Sequence, residues 1–154
     1  MKIKPLLLAT IIATSTTSFA CNSTHSNDTH MIEIKGESTP ESVLLAYLKA
    51  GDESNVESIN ELTHKNYRVI FNDLSKNSVS EIDKSSYLDL IRKKVFGGKP
   101  RSVNIKSIDI TGGNIASIKV NTSSDGASFN SYFSLIKDQG KWYILQDLIY
   151  MENN

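Results

Sequence analysis

The chain has 154 residues, with 17 Lys plus Arg against 17 Asp plus Glu and a single cysteine, Cys21. Balanced charge leaves no electrostatic footprint for nucleic acid or an anionic surface, so no nucleic-acid partner is expected. One cysteine excludes an intrachain disulfide.

Met1-Lys2-Ile3-Lys4-Pro5 opens the chain with two lysines. Leu6 to Ala13 follow, apolar except for Thr10, and then small residues run to Ala20. This order predicts a cleavable secretory signal over 1–20, and the protein is expected to be exported, either periplasmic or secreted. The apolar run is too short for a bilayer, which needs about 20 apolar residues. Ser18-Phe19-Ala20 fits cleavage before Cys21. Two readings of Cys21 stay open: a lipid-attachment site that anchors the domain to a membrane, or the first residue of a simple secreted protein.

Residues 21–36 are rich in Ser, Thr, Asn, Asp and His and read as a polar tether. His25 and His30 lie in it without carboxylate or thiolate support, so no metal and no cofactor is assigned. Residues 37–154, about the size of one ordinary domain, form the folded part.

Ser38-Thr39-Pro40-Glu41 predicts a helix start, with Ser38 as the hydroxyl cap and Glu41 completing a capping box. Val43, Leu44, Tyr47 and Leu48 then share one face, and Gly51 ends the helix. Asp52 or Ser54 caps a second helix carrying Val56, Ile59 and Leu62. Alternation at Tyr67, Val69 and Phe71 predicts a first strand, followed to Ser80 by loop or a weak return strand. Asp83 to Ser86 caps a third helix with Tyr87, Leu88, Ile91 and Val95, stopped by Gly97-Gly98.

From Arg101 the period becomes two. Val103 and Ile105 are in one phase and Ile108 and Ile110 in the other, which predicts a bulge near Lys106 or Ser107. Turns at Gly112-Gly113-Asn114, Ser123 to Gly126 and Gln139-Gly140 complete a four-strand antiparallel meander. Helices followed by strands make an α+β plan.

A two-residue turn at Gln139-Gly140 sets Leu135 opposite Ile144, Phe133 opposite Gln146 and Ser131 opposite Leu148. One face, with Phe129, Ser131, Phe133, Leu135, Trp142, Ile144, Gln146 and Leu148, is expected under the helices. The other, with Tyr132, Ile136, Tyr143, Leu145, Asp147 and Ile149, is too apolar to stay in water and is expected to form a homodimer.

Tyr47-Leu48 through Gly51-Asp52, then Thr63-His64 leading into a strand, resemble the "YL-x-GL-x-NGD … FHP" opening of the "putative lumazine-binding" group of the nuclear transport factor 2-like superfamily. Ile105 to Ile110, Ala116 to Val120, and Phe129 through Leu135 to Gly140-Lys141-Trp142 resemble that group's C-terminal half. The likeness runs from about residue 38 to 150. It implies a cone-shaped, cystatin-like fold, with a curved antiparallel sheet wrapped around helices, a pocket, and commonly a dimer through the sheet. The superfamily includes ketosteroid isomerase and dehydratases. Where relatives carry an aspartate before the aromatic of "DYxSL", this chain has Ser131.

No metal spacing, phosphate loop or nucleophile elbow is present. Asp89 and Asp109 are expected in solvent, and Asp147 on the dimer face. The pocket candidates are Tyr47, His64, Tyr67, Ser131 and Gln146, polar groups on an aromatic wall suited to a small flat ligand. No catalytic residue is assigned. The leading expectation is a non-catalytic ligand-binding or accessory domain. An isomerase, dehydratase or hydrolase acting on a small cyclic substrate, and a purely structural dimerisation module, are the alternatives.

Overall fold

A computed structural model describes residues 38–73 and 77–152. The signal, Cys21, His25, His30 and the tether lie outside the described residues.

Helix α1 spans Pro40–Asp52 and α2 spans Val56–Leu62. The α1 cap is Thr39 rather than Ser38. Its Oγ1 accepts from the Ser42 amide at 3.1 Å, while Ser42 Oγ accepts from the Thr39 amide at 3.0 Å, so Ser42 and not Glu41 closes the capping box. Thr39→Ala is expected to cost about 1 kcal/mol, measurable as a shift in the urea midpoint. Helix α2 is capped by Asn55, whose side chain accepts from the Ser58 amide at 3.0 Å. Ser54 instead takes a left-handed φ of 54° in the turn between the helices. Helix α3, Lys84–Arg92, is capped by Asp83. Bonds from the Ser85 hydroxyl and then the Ser86 amide and hydroxyl hold the Asp83 carboxyl down at about 2.

Strands β1 (Thr63–Asp73), β2 (Ser78–Asp83), β3 (Ser102–Thr111), β4 (Ile115–Ser124), β5 (Ala127–Asp138) and β6 (Lys141–Glu152) make one curved, open sheet in the order β2-β1-β6-β5-β4-β3. The stretch after Asn72 returns as a true strand. The meander accounts for β3 to β6, but β1 then adds beside β6 in parallel, with Val69 opposite Asp147 and Ile70 opposite Leu148. The first strand is thus zipped to the last.

The Gln139-Gly140 turn has both residues at positive φ, 48° and 80°, as a tight hairpin requires. It pairs Asp138 with Lys141 and Leu135 with Ile144, as the sequence predicts. Two bulges follow from the pairing. In β3, Ile105 faces Val120 and Ser107 faces Lys119, so Lys106 is the extra residue where the phase change placed it. The second bulge is in β6: Leu135 faces Ile144 but Ser134 faces Gln146, leaving Leu145 unpaired.

This second bulge corrects the expected faces. A one-residue insertion exchanges the two sides of a strand for every residue beyond it. Phe133 therefore faces Asp147 rather than Gln146, and Ser131 faces Ile149 rather than Leu148. Asp147 is buried at 6% exposure, whereas Leu148 is 38% exposed.

The core gathers Val43, Leu44, Tyr47 and Leu48 of α1, Ile59 of α2 and Ile91 of α3 against Val69, Ile118, Val120, Phe133, Leu135, Trp142 and Ile144 of the sheet. Each large side chain removed from water here contributes roughly 1.5–3 kcal/mol before chain entropy is counted. Tyr132 on the opposite side is 48% exposed and Ile115 58%.

Candidate functional site

A cavity of about 430 Å³ opens between the C-terminal half of α1, α3, the connection from α3 to β3, and the inner face of β4 to β6. Its lining is mostly apolar and aromatic, with Phe71, Tyr87, Phe96, Phe129 and Phe133 prominent. Phe71 and Phe96 stand 5.7 Å apart between ring centroids, and Phe96 and Tyr87 6.1 Å, so the rings form a continuous series along one side.

The connection that forms one wall is fixed to the end of α1. The Gly98 amide donates to the Gly51 carbonyl at 3.0 Å. Arg101 Nη2 donates to the Leu48 carbonyl at 2.8 Å, and its Nε donates to Asp52 Oδ1 at 2.5 Å. A guanidinium that caps a helix C-terminus and pairs with a carboxylate is suited to both the dipole and the charge.

Three tyrosines from three elements meet beside the cavity, and two of them, Tyr47 and Tyr87, line it. Tyr47 of α1 donates its hydroxyl to Tyr87 of α3 at 2.9 Å, and its oxygen lies 2.6 Å from the hydroxyl of Tyr67 on β1. The rings of Tyr67 and Tyr87 meet edge to face at 5.5 Å. Burial is the main force that raises all three phenols, with Tyr87 pushed up to about 12 and Tyr47 and Tyr67 well above their usual value. The trio is thus neutral at any physiological pH and acts as a hydrogen-bonding group, not a base.

Asp147 lines the same cavity. Its Oδ1 is out of contact with solvent and has no hydrogen-bond partner. Burial pushes its carboxyl up from 3.8 to about 7, opposed in part by the neighbouring Ser131 hydroxyl and Arg101 guanidinium. An unpartnered buried polar atom costs about 1–3 kcal/mol.

A family model described as "Putative lumazine-binding" matches residues 35–149. The chain belongs to this family. No curated protein matches it in sequence. Among solved structures, a nuclear transport factor 2-like protein of unknown function from Shewanella baltica is similar, with 23% identity, a TM-score of 0.64, and coverage of 74% of this chain and 91% of that one. A ketosteroid isomerase-like protein from Erwinia carotovora atroseptica is similar at 15% identity and a TM-score of 0.61, over 74% of this chain and 94% of that one. A further nuclear transport factor 2-like protein of unknown function, from Silicibacter pomeroyi, has 12% identity and a TM-score of 0.63, over 73% and 92%. At these identities the likeness shows the shared nuclear transport factor 2-like fold.

Within this member of the putative lumazine-binding family, the five candidates separate. Tyr47 and Ser131 line the cavity. Tyr67 stands behind it, reaching it through the hydroxyl of Tyr47. Gln146 is carried to the other face by the β6 bulge, where it accepts from Arg68 Nε at 3.2 Å. His64 sits away from the cavity, its ring against Tyr143 and its Nε2 3.8 Å from Asp138. The residues that sequence reasoning missed are Asp147, Tyr87 and Arg101. Tyr87 was legible only as a core position of α3, and Arg101 carried no signal in its local pattern.

Proposed function

We propose that this protein binds a small, flat, largely apolar ligand in the cavity between α1, α3 and the sheet. The observation that carries this reading is the aromatic-lined cavity of about 430 Å³, with a few polar groups, Tyr47, Tyr87, Ser131 and Asp147, in its wall. The family's description supports a small-molecule ligand.

A second reading, acid–base chemistry of the isomerase or dehydratase type, is favoured by the same residue. A carboxyl raised to about 7 is poised to take or give a proton near neutrality. In this reading Asp147 exchanges the proton while the tyrosine trio offers a hydrogen bond to the reacting group. Binding leads because Asp147 is the one buried carboxyl of the lining, while its other carboxylate, Asp125, is exposed and paired with Lys99.

We also infer that the protein is exported, on the charged, apolar and small-residue order of Met1 to Ala20, with Cys21 as the point of lipid attachment. A homodimer through the outer sheet face at Tyr132, Ile136 and Tyr143 would cover the apolar surface there. Leu145, grouped with them on the sequence pattern, is instead the bulge residue of β6. Native mass spectrometry of protein purified from the exporting cell tests these readings together. The expected spectrum shows a dimer, an acyl mass on Cys21 and a retained small molecule. An unacylated, ligand-free monomer would overturn all three.

A further inference from the structure

The balanced total charge conceals an uneven distribution. Between Asp89 and Asp109 the chain has six Lys or Arg and no Asp or Glu. Five of the six, Arg92, Lys93, Lys94, Lys99 and Arg101, run from the last residue of α3 to the threshold of β3. Three of these are paired: Arg92 with Asp89, Lys99 with Asp125 at 2.6 Å and Arg101 with Asp52 at 2.5 Å. The excess rests on Lys93 and Lys94, which are exposed and have no charged partner among the described residues.

The helix ending holds these two beside an exposed apolar side chain. Lys94 takes a left-handed φ of 56°, its amide donates to the Ile91 carbonyl at 2.9 Å, and the Val95 amide donates to the Leu90 carbonyl at 2.9 Å. In this Schellman ending the residue after the left-handed one commonly packs back on the helix. Val95 holds that place, yet it is 61% exposed, and it lines the cavity next to Phe96. It therefore lies where the cavity meets solvent. Arg92 already complements the dipole in the last turn of α3, and the dipole gives no reason for Val95.

From this we infer that Lys93, Lys94 and Val95 form a docking patch for the surface of an anionic lipid bilayer, which sets the mouth of the cavity against the lipid. The two ammonium groups meet headgroup phosphates, and the Val95 side chain enters the apolar boundary beneath them. Nucleic acid would engage the lysines and leave Val95 in water. A lysine close to an anionic leaflet strengthens binding by only about fivefold, so the patch orients a domain already held near a membrane. An acylated Cys21 supplies that nearness by raising the effective concentration. The docking does not depend on the cavity's taking a ligand.

Co-sedimentation with sucrose-loaded vesicles tests it, on the mature chain from residue 21 carrying Cys21→Ser so that no acyl group contributes. Without Lys2 and Lys4 that chain has 15 Lys and Arg against 17 Asp and Glu, so its net charge opposes an anionic surface and attraction must come from a local patch. Vesicles of equal parts phosphatidylcholine and phosphatidylglycerol are expected to bind it at least about fivefold better than phosphatidylcholine alone at about 0.05 M salt, with the preference lost near 0.5 M. Lys93→Gln with Lys94→Gln is expected to erase the preference, and Val95→Ser to weaken anionic binding by about threefold or more. Lys65→Gln with Lys119→Gln, the same change of charge elsewhere, should leave the preference in place. Near-ultraviolet circular dichroism matching that of the unmodified chain verifies the fold of each variant. No preference for the anionic vesicles, or equal losses in the two double variants, would overturn the patch. Binding to poly-glutamate but not to vesicles would overturn the lipid assignment in favour of an acidic protein segment. In each case the cavity reading stands, since retained ligand in native mass spectrometry decides it separately.

Discussion

Asp147→Asn is expected to remove a loss of stability of about 4 kcal/mol that the unmodified protein undergoes between pH 4 and pH 7. The carboxyl ionises near 3.8 in the unfolded chain and near 7 in the fold, chiefly because burial disfavours its charge. Across that interval the folded protein holds a proton that the unfolded chain has released. Folding is therefore coupled to proton uptake, and stability falls as pH rises. The contribution is fully present below about pH 4, is lost progressively up to about pH 7, and is flat above. At about 1.4 kcal/mol for each tenfold difference in proton affinity, the interval is worth about 4 kcal/mol. Asp83, whose carboxyl is held down at about 2, has the opposite dependence, but it acts below about pH 4 and lies outside the window. Urea denaturation at pH 4, 5.5, 7 and 8 measures the effect. The two proteins should converge at pH 4, and the variant should be the more stable at pH 8. Parallel curves across the range would show that Asp147 is ionised throughout.

Gly97→Ala is expected to destabilise the fold by about 3 kcal/mol or more. Gly97 has a φ of +73°, a region in which a side chain is strained, and that alone costs about 1–3 kcal/mol. A Cβ there would also stand 2.2 Å from the Gly51 carbonyl oxygen and 3.1 Å from its carbon. That oxygen cannot yield cheaply, since it accepts from the amides of both Ser54 and Gly98. Relief requires the connection between α3 and β3 to move off the end of α1, taking Phe96 and Val95 away from the cavity. A fall in the urea midpoint is the expected result. Gly112→Ala is the control, because its φ is also positive, at +58°, but its Cβ would meet nothing within 4 Å. Equal losses for the two variants would mean that backbone strain accounts for the whole effect.

The difference between what the residues reveal and what they conceal is instructive in the two bulges. In β3 the apolar residues fall cleanly into two phases around Lys106, so the insertion is legible. In β6 they occupy both phases, with Trp142 and Ile144 in one and Tyr143 and Leu145 in the other. Alternation therefore carries no information there, and an uninterrupted register extended from Gln139-Gly140 sends Asp147 outward. The helix starts were legible from their stripes and caps to within a residue or two, but α3 ends at Arg92, short of Val95, which is 61% exposed, and of the Gly97-Gly98 stop. The partnership of β1 with β6 was not, because nothing local to Thr63–Asp73 specifies a neighbour some 80 residues away. The tyrosine trio is hidden for the same reason: Tyr47, Tyr67 and Tyr87 each read as a core position of its own element, and only the assembled sheet brings their hydroxyls together.

The pairing of β1 with β6 also sets the order in which the protein can assemble. The last strand lies between β1 and β5, so the sheet remains in two pieces until residues near 149 are available. Phe133 and Ile144 cannot be enclosed with Val69 before that moment. Closure then brings together segments far apart in the chain, an entropic demand that slows folding relative to a protein built on local contacts. A nascent chain of this sequence thus stays open until its C-terminal strand emerges, and the cavity with its buried carboxyl is among the last features to form.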